Sequence, residues 1–209
     1  MILDAVQQYA RRVGNPYSGG VSDPAVSRPG RPKVSSRATL AEAACELFLE
    51  QGFAATAIVD ITRRAGVSRS SFFNYFGSKS DILWAVFDER MDAALRRLSA
   101  GDEVRPALAQ IAGDFAPDAL ALALVNAEAM GIADELDREA AVRRARIADA
   151  AAHRLEQAGL ESLRAAVMGA AFAGAVWAAV RAWAHDGAGR APLQPTLERA
   201  LALVPDLLP

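Results

Sequence analysis

Residues 57–76, AIVDITRRAGVSRSSFFNYF, constrain this chain more than any other stretch. Two apolar-faced runs of about seven residues flank a single glycine. Ile58 and Ile61 give the first run an inner face, and Phe72 and Phe76, four apart, anchor the second. Gly66 takes a positive φ without Cβ strain, and Val67 fills the gap between two short helices. Ser68 stands where its side chain caps the second run. Together these features describe a helix-turn-helix. Arg69, Ser70, Ser71 and Asn74 then project from the first turns of the second helix, with side chains suited to base edges in a major groove.

The flanks are helical as well. From Ser36, the residues Leu40, Ala43, Ala44, Leu47 and Phe48 recur on one helical face, and Gly52 ends the run. A longer helix is predicted from Lys79, with Ser78 as cap and Asp81 completing a capping box. Ile82, Leu83, Val86, Phe87, Met91 and Leu95 form its stripe. Further helices are predicted over 103–114, 117–131, 137–158, 161–186 and 195–204, punctuated by glycine and proline. No stretch alternates as a strand does, and no internal repeat is present, so the fold class is all-α. The apolar run 165–180 is shorter than the ~20 residues of a membrane span, so it is expected to be buried in a bundle, with no membrane partner.

Charge is unevenly spread. The net charge is −2, the sum of +4 over residues 1–80 and −6 over residues 81–209. A basic head on an acidic body implies that one end meets a polyanion. Residues 36–80 carry only +1, from Arg37, Arg63, Arg64, Arg69 and Lys79 against Glu42, Glu46, Glu50 and Asp60. The rest of the head's charge lies in residues 1–34, read as a flexible arm because 14–32 is rich in Gly, Pro and Ser. Within it, Arg28-Pro-Gly-Arg31-Pro-Lys33 resembles the AT-hook peptide of A·T-rich minor grooves, or is a basic linker. In either case Arg31 and Lys33, with Arg37 just beyond, are expected to add phosphate affinity. Cys45 is the single cysteine and His153 and His185 lie far apart, which leaves no disulfide and no metal set. No secretory leader is seen, so a cytoplasmic location is expected.

The stretch "LFLEQGF", then "IVDITRRAGVS" and "FFNYFGSKSDIL", resembles the TetR family of transcriptional regulators over residues 37–95. The resemblance implies a three-helix DNA-binding domain with its third helix in the major groove, here 35–80. It further implies a helical ligand-binding and dimerisation domain, here 81–209, with the fourth helix joining the two. Tyr75 and Lys79 match family positions that touch phosphate. Ala57 stands where the family has Thr or Ser, so Thr56 beside it is the candidate replacement as cap and phosphate ligand. Phe73 replaces a tyrosine and brings no hydroxyl.

In the second domain, Trp84, Phe87, Met91, Met130, Met168, Phe172 and Trp177 are the candidate pocket lining, as adaptable and aromatic apolar groups. The small residues Ala166, Gly169, Ala170, Ala173 and Gly174 are the candidate dimer seam, because they let helices approach closely. No nucleophile, acid–base pair or cofactor motif stands at a workable spacing, so neither an enzyme nor a cofactor is expected. The reading is a homodimeric repressor on a palindromic double-stranded DNA operator, released by a small apolar or amphipathic effector. A faint similarity to mycofactocin-associated members points to acyl-CoA. A transcriptional activator and an effector-independent architectural DNA-binding protein are the alternatives.

Overall fold

The computed structural model describes residues 36–113, 119–187 and 191–205. Arg31 and Lys33, with the arm that carries them, lie outside the described residues. Every regular element among the described residues is helical: α1 (Ser36–Gln51), α2 (Ile58–Ala65), α3 (Arg69–Phe73), α4 (Asp81–Ser99), α5 (Val104–Ala109), a 3₁₀ turn (Gln110–Ala112), α6 (Ala119–Val125), α7 (Ala133–Gln157), α8 (Ser162–His185) and α9 (Gln194–Ala202).

The expected stripes face inward. Leu40, Ala43, Ala44, Leu47 and Phe48 of α1 are buried, as are Ile82, Leu83, Phe87 and Met91 of α4. Two differences are local. α4 begins at Asp81, two residues after Lys79, yet the capping box forms as expected: Asp81 N–H donates to Ser78 Oγ at 3.2 Å and Ser78 N–H to Asp81 Oδ2 at 3.1 Å. α7 begins at Ala133, four residues before the expected start, because Asp134 and Glu135 occupy its first turn and suit a helix N-terminus.

One core runs through both parts of the chain, from Leu40 and Phe72 to Val176 and Leu201. α4 is the shared wall. It packs on α1, α6 and α7, and two ion pairs tie it to α7: Arg143 to Asp88 at 2.6 Å and Arg146 to Asp92 at 2.8 Å. α7 and α8 form the largest helix pair, and Gly169 permits their close approach. A Cβ there would stand 2.3 Å from the Ala148 carbonyl oxygen. α8 is long and apolar enough to cross a membrane, but half of its most apolar stretch is buried inside this bundle.

Candidate DNA-reading surface

The reader is built by local rules. α2 ends on Gly66 at φ 68°, where Gly66 N–H donates to Arg63 O at 3.2 Å and Val67 N–H to Thr62 O at 3.0 Å. This paired closure satisfies the last carbonyls of α2 and turns the chain sharply. Ser68 then caps α3 by accepting from Ser71 N–H at 3.1 Å, with the Ser70 and Ser71 hydroxyls each 2.8 Å from Ser68 Oγ. Phe72 and Phe76 are buried with rings 5.6 Å apart, which seats α3 on the core. Arg69, Ser70, Phe73, Asn74 and Tyr75 are exposed, and Ser71 is half-buried. Phe73 is 48% exposed, with the Arg69 guanidinium 5.6 Å from its ring centroid.

Two expected phosphate ligands serve other purposes. Thr56 is 1% exposed, and its hydroxyl donates to Gly52 O at 2.8 Å. It locks the α1–α2 loop, while Ala57 takes the cap position and its N–H donates to Asp60 Oδ2 at 3.2 Å. Lys79 points back into that loop. Its ammonium donates to Phe53 O, and to Thr56 O at 3.0 Å, and sits 4.1 Å from the Phe53 ring centroid. Burial pushes its pKa down, and Glu135 partly opposes this.

The cations of this module are mostly engaged within the fold. Arg37 pairs with Glu89 at 2.5 Å, Arg63 with Asp60 at 3.2 Å, and Arg64 with Glu46 at 3.2 Å and Glu50 at 2.7 Å. Of the five, Arg69 alone has no carboxylate or carbonyl partner among the described residues.

The loop behind the reader meets the second domain. Phe53 N–H donates to Met130 O at 2.7 Å, and Ser80 Oγ–H to Glu135 Oε1 at 2.5 Å. The remaining expected pocket residues are packed in the core. Trp84 contacts Phe87 and Trp177, with ring centroids 5.9 and 5.7 Å apart. Met91, Met168 and Phe172 are buried too, and Arg105 lies 5.7 Å from the Phe172 ring centroid. Of the expected seam residues, Gly169 and Ala173 point inward. Gly169 packs on the Ala148–Ala152 stretch of α7, so its small size serves the α7–α8 contact within the chain. Ala166, Ala170 and Gly174 stay exposed. Leu163 and Val167 share that surface, 71% and 61% exposed. A groove of about 210 Å³ runs beside it, lined by Arg144, Ala145, Ala148, Ala170, Ala173 and Gly174.

Sequence reasoning did not single out Arg143, which is 8% exposed. It lies on the inward stripe Leu136, Ala140, Arg143, Ile147, Ala151, and that spacing was a usable signal.

Residues 40–86 match the family model of the bacterial regulatory proteins, tetR family. The match spans most of α1, all of α2 and α3, and the start of α4, so the reader is similar to the DNA-binding module of that family. Among curated relatives, this chain is 33% identical over 92 residues to a protein assigned as the mycofactocin biosynthesis transcriptional regulator MftR of Mycobacterium tuberculosis, covering 41% of this chain and 46% of that one. It is 33% identical over 84 residues to the transcriptional regulator TtgR of Pseudomonas putida, covering 39% and 40%. The chain therefore spans less than half the length of these two relatives. Among solved structures, the dihydroxyacetone kinase operon activator DhaS aligns with a TM-score of 0.50 at 16% identity, over 81% of this chain and 93% of that one. This likeness is one of fold, and it covers the helical second part of the chain as well as the reader. Both curated relatives are named as transcriptional regulators.

Proposed function

We propose that this chain is a homodimeric, effector-responsive transcriptional repressor that reads a palindromic operator. The observation that carries the proposal is the α3 surface: Arg69, Ser70, Phe73, Asn74 and Tyr75 exposed on a helix seated by buried Phe72 and Phe76. Arg69 and Asn74 suit guanine and adenine edges, and Phe73 suits a thymine methyl. Two such readers must stand about 34–36 Å apart, or a multiple of it, to meet half-sites on one face of the duplex. The exposed α8 strip of Leu163, Ala166, Val167, Ala170 and Gly174 is the surface that joins the two copies. Such a molecule works on DNA in the cytoplasm.

The effector is apolar or amphipathic and enters among Trp84, Phe87 and Trp177, with long-chain acyl-CoA the first compound to try. Its effect passes through α4, which follows the reader at its start and carries Asp88, the partner of Arg143, near its middle. Ligand must favour one arrangement of α4 over the other, since equal affinity for both shifts nothing. A mobility-shift assay on DNA upstream of the chain's own gene tests this. The protein is expected to retard the fragment and to release it on adding acyl-CoA. Failure to retard any such fragment would sink the repressor reading.

A further inference from the structure

The indole of Trp84 is fully buried on α4, and its Nε1 finds no hydrogen-bond acceptor among the described residues. Trp183, by contrast, donates its Nε1–H to Ala191 O at 2.8 Å. A buried donor without an acceptor forfeits its hydration and gains nothing in return.

Its surroundings restrict what could fill the role. The Arg143 guanidinium lies 4.2 Å from the Trp84 ring centroid. Asp88 holds that guanidinium through two bonds of 2.6 Å, and Glu139 through one of 2.5 Å. One cation against two carboxylates leaves this corner with a formal charge of −1, which disfavours an anionic group placed against Trp84 itself. Both carboxylates are already engaged by Arg143. The neighbouring walls, Phe87 and Trp177, are aromatic.

We propose that Trp84 Nε1 is the polar anchor of an effector site and donates to a neutral carbonyl oxygen carried on an apolar body: a ketone, ester, thioester or amide. This rests on the effector-responsive reading above and names the chemistry of its ligand. A guest here parts Trp84 of α4 from Trp177 of α8 and bears on Arg143, one of the two arginines that bridge α7 to α4.

The test uses the full chain labelled with ¹⁵N at tryptophan, titrated with decane, 2-decanone and decanoate. The Trp84 indole resonance is identified by its loss in Trp84→Phe, which keeps an aromatic ring and removes the N–H. 2-Decanone is expected to move that resonance and to bind roughly tenfold more tightly than decane or decanoate. In Trp84→Phe the advantage of 2-decanone over decane is expected to vanish. Equal affinity for decane and 2-decanone in the wild type would overturn the anchor without relying on any variant. So would tighter binding of decanoate, a response confined to Trp177 or Trp183, or no binding of the three. Operator release is scored separately. Release by decane and 2-decanone alike removes the anchor and leaves the effector reading standing. Binding at Trp84 without any change in operator affinity supports the anchor and removes the effector reading.

Discussion

On the proposed reading, Arg69 is the side chain on which base recognition most depends. The other cations of the module are drawn into ion pairs or onto backbone carbonyls, while Arg69 rests against Phe73 at the exposed surface. Arg69→Ala is expected to weaken operator binding by ~1–3 kcal/mol and to relax preference at one base position. Binding measured across single-base operator variants checks this, and a uniform loss would instead mark Arg69 as a phosphate contact. Glu50 has a different part. Its hydrogen bond from Arg64 holds its carboxyl below the ordinary glutamate range, against slight opposition from burial. A lowered folded pKa means that the native state binds fewer protons than the unfolded one. The stability Glu50 contributes is therefore complete above the ordinary range and is lost as pH falls through its own lower value. Glu50→Gln is expected to reduce the loss of stability between about pH 7 and about pH 3, followed by denaturant titration.

Helix pairs explain why small residues sit where they do. Gly169→Ala places a methyl carbon against the Ala148 carbonyl, which is backbone and cannot swing aside. The expected cost is ~1–3 kcal/mol of stability, read as a lower denaturation midpoint. A methyl at Gly174 would meet nothing within 4 Å, so Gly174→Ala should leave the chain's own fold intact. Equal effects of the two substitutions would show that α7 and α8 do not meet at Gly169. The α1–α2 loop is a second such junction. Lys79 and Thr56 tie it down from within the module, and Met130 holds it from the second domain. In the proposed effector response, this loop is a second route from one part to the other beside α4.

For the whole molecule, the α8 strip and the uneven charge belong together. An acidic body repels DNA, so in the proposed dimer joined through α8 that repulsion favours approach through the readers. Val167→Glu puts a carboxylate into the strip while leaving the core untouched, since Val167 is 61% exposed. Monomers in sedimentation velocity, with operator affinity reduced roughly tenfold or more, are the expected outcome. A variant that stays dimeric would place the interface elsewhere.

Much of this could be read along the chain because its causes are local. Helical spacing, the Gly66 turn, the Ser68 cap and the Ser78–Asp81 box each depend on residues within a few positions of one another. The turn, the cap and the box form where the sequence puts them, whereas helix ends shift: α7 starts at Ala133, and the helix expected over 117–131 is only Ala119–Val125. The resemblance to the TetR family rested on those same residues. What linear reading missed are the partners of polar side chains, because such partners are supplied by segments remote in sequence. Lys79 meets carbonyls 26 and 23 residues away, and Arg143 meets Asp88 across 55. Thr56 looked like a phosphate ligand until folding buried it, and Gly169 looked like a subunit seam until α7 was packed on it. A hydrogen-bonding group commits to whichever partner packing brings within about 3 Å, and no spacing rule along one strand of chain encodes that choice.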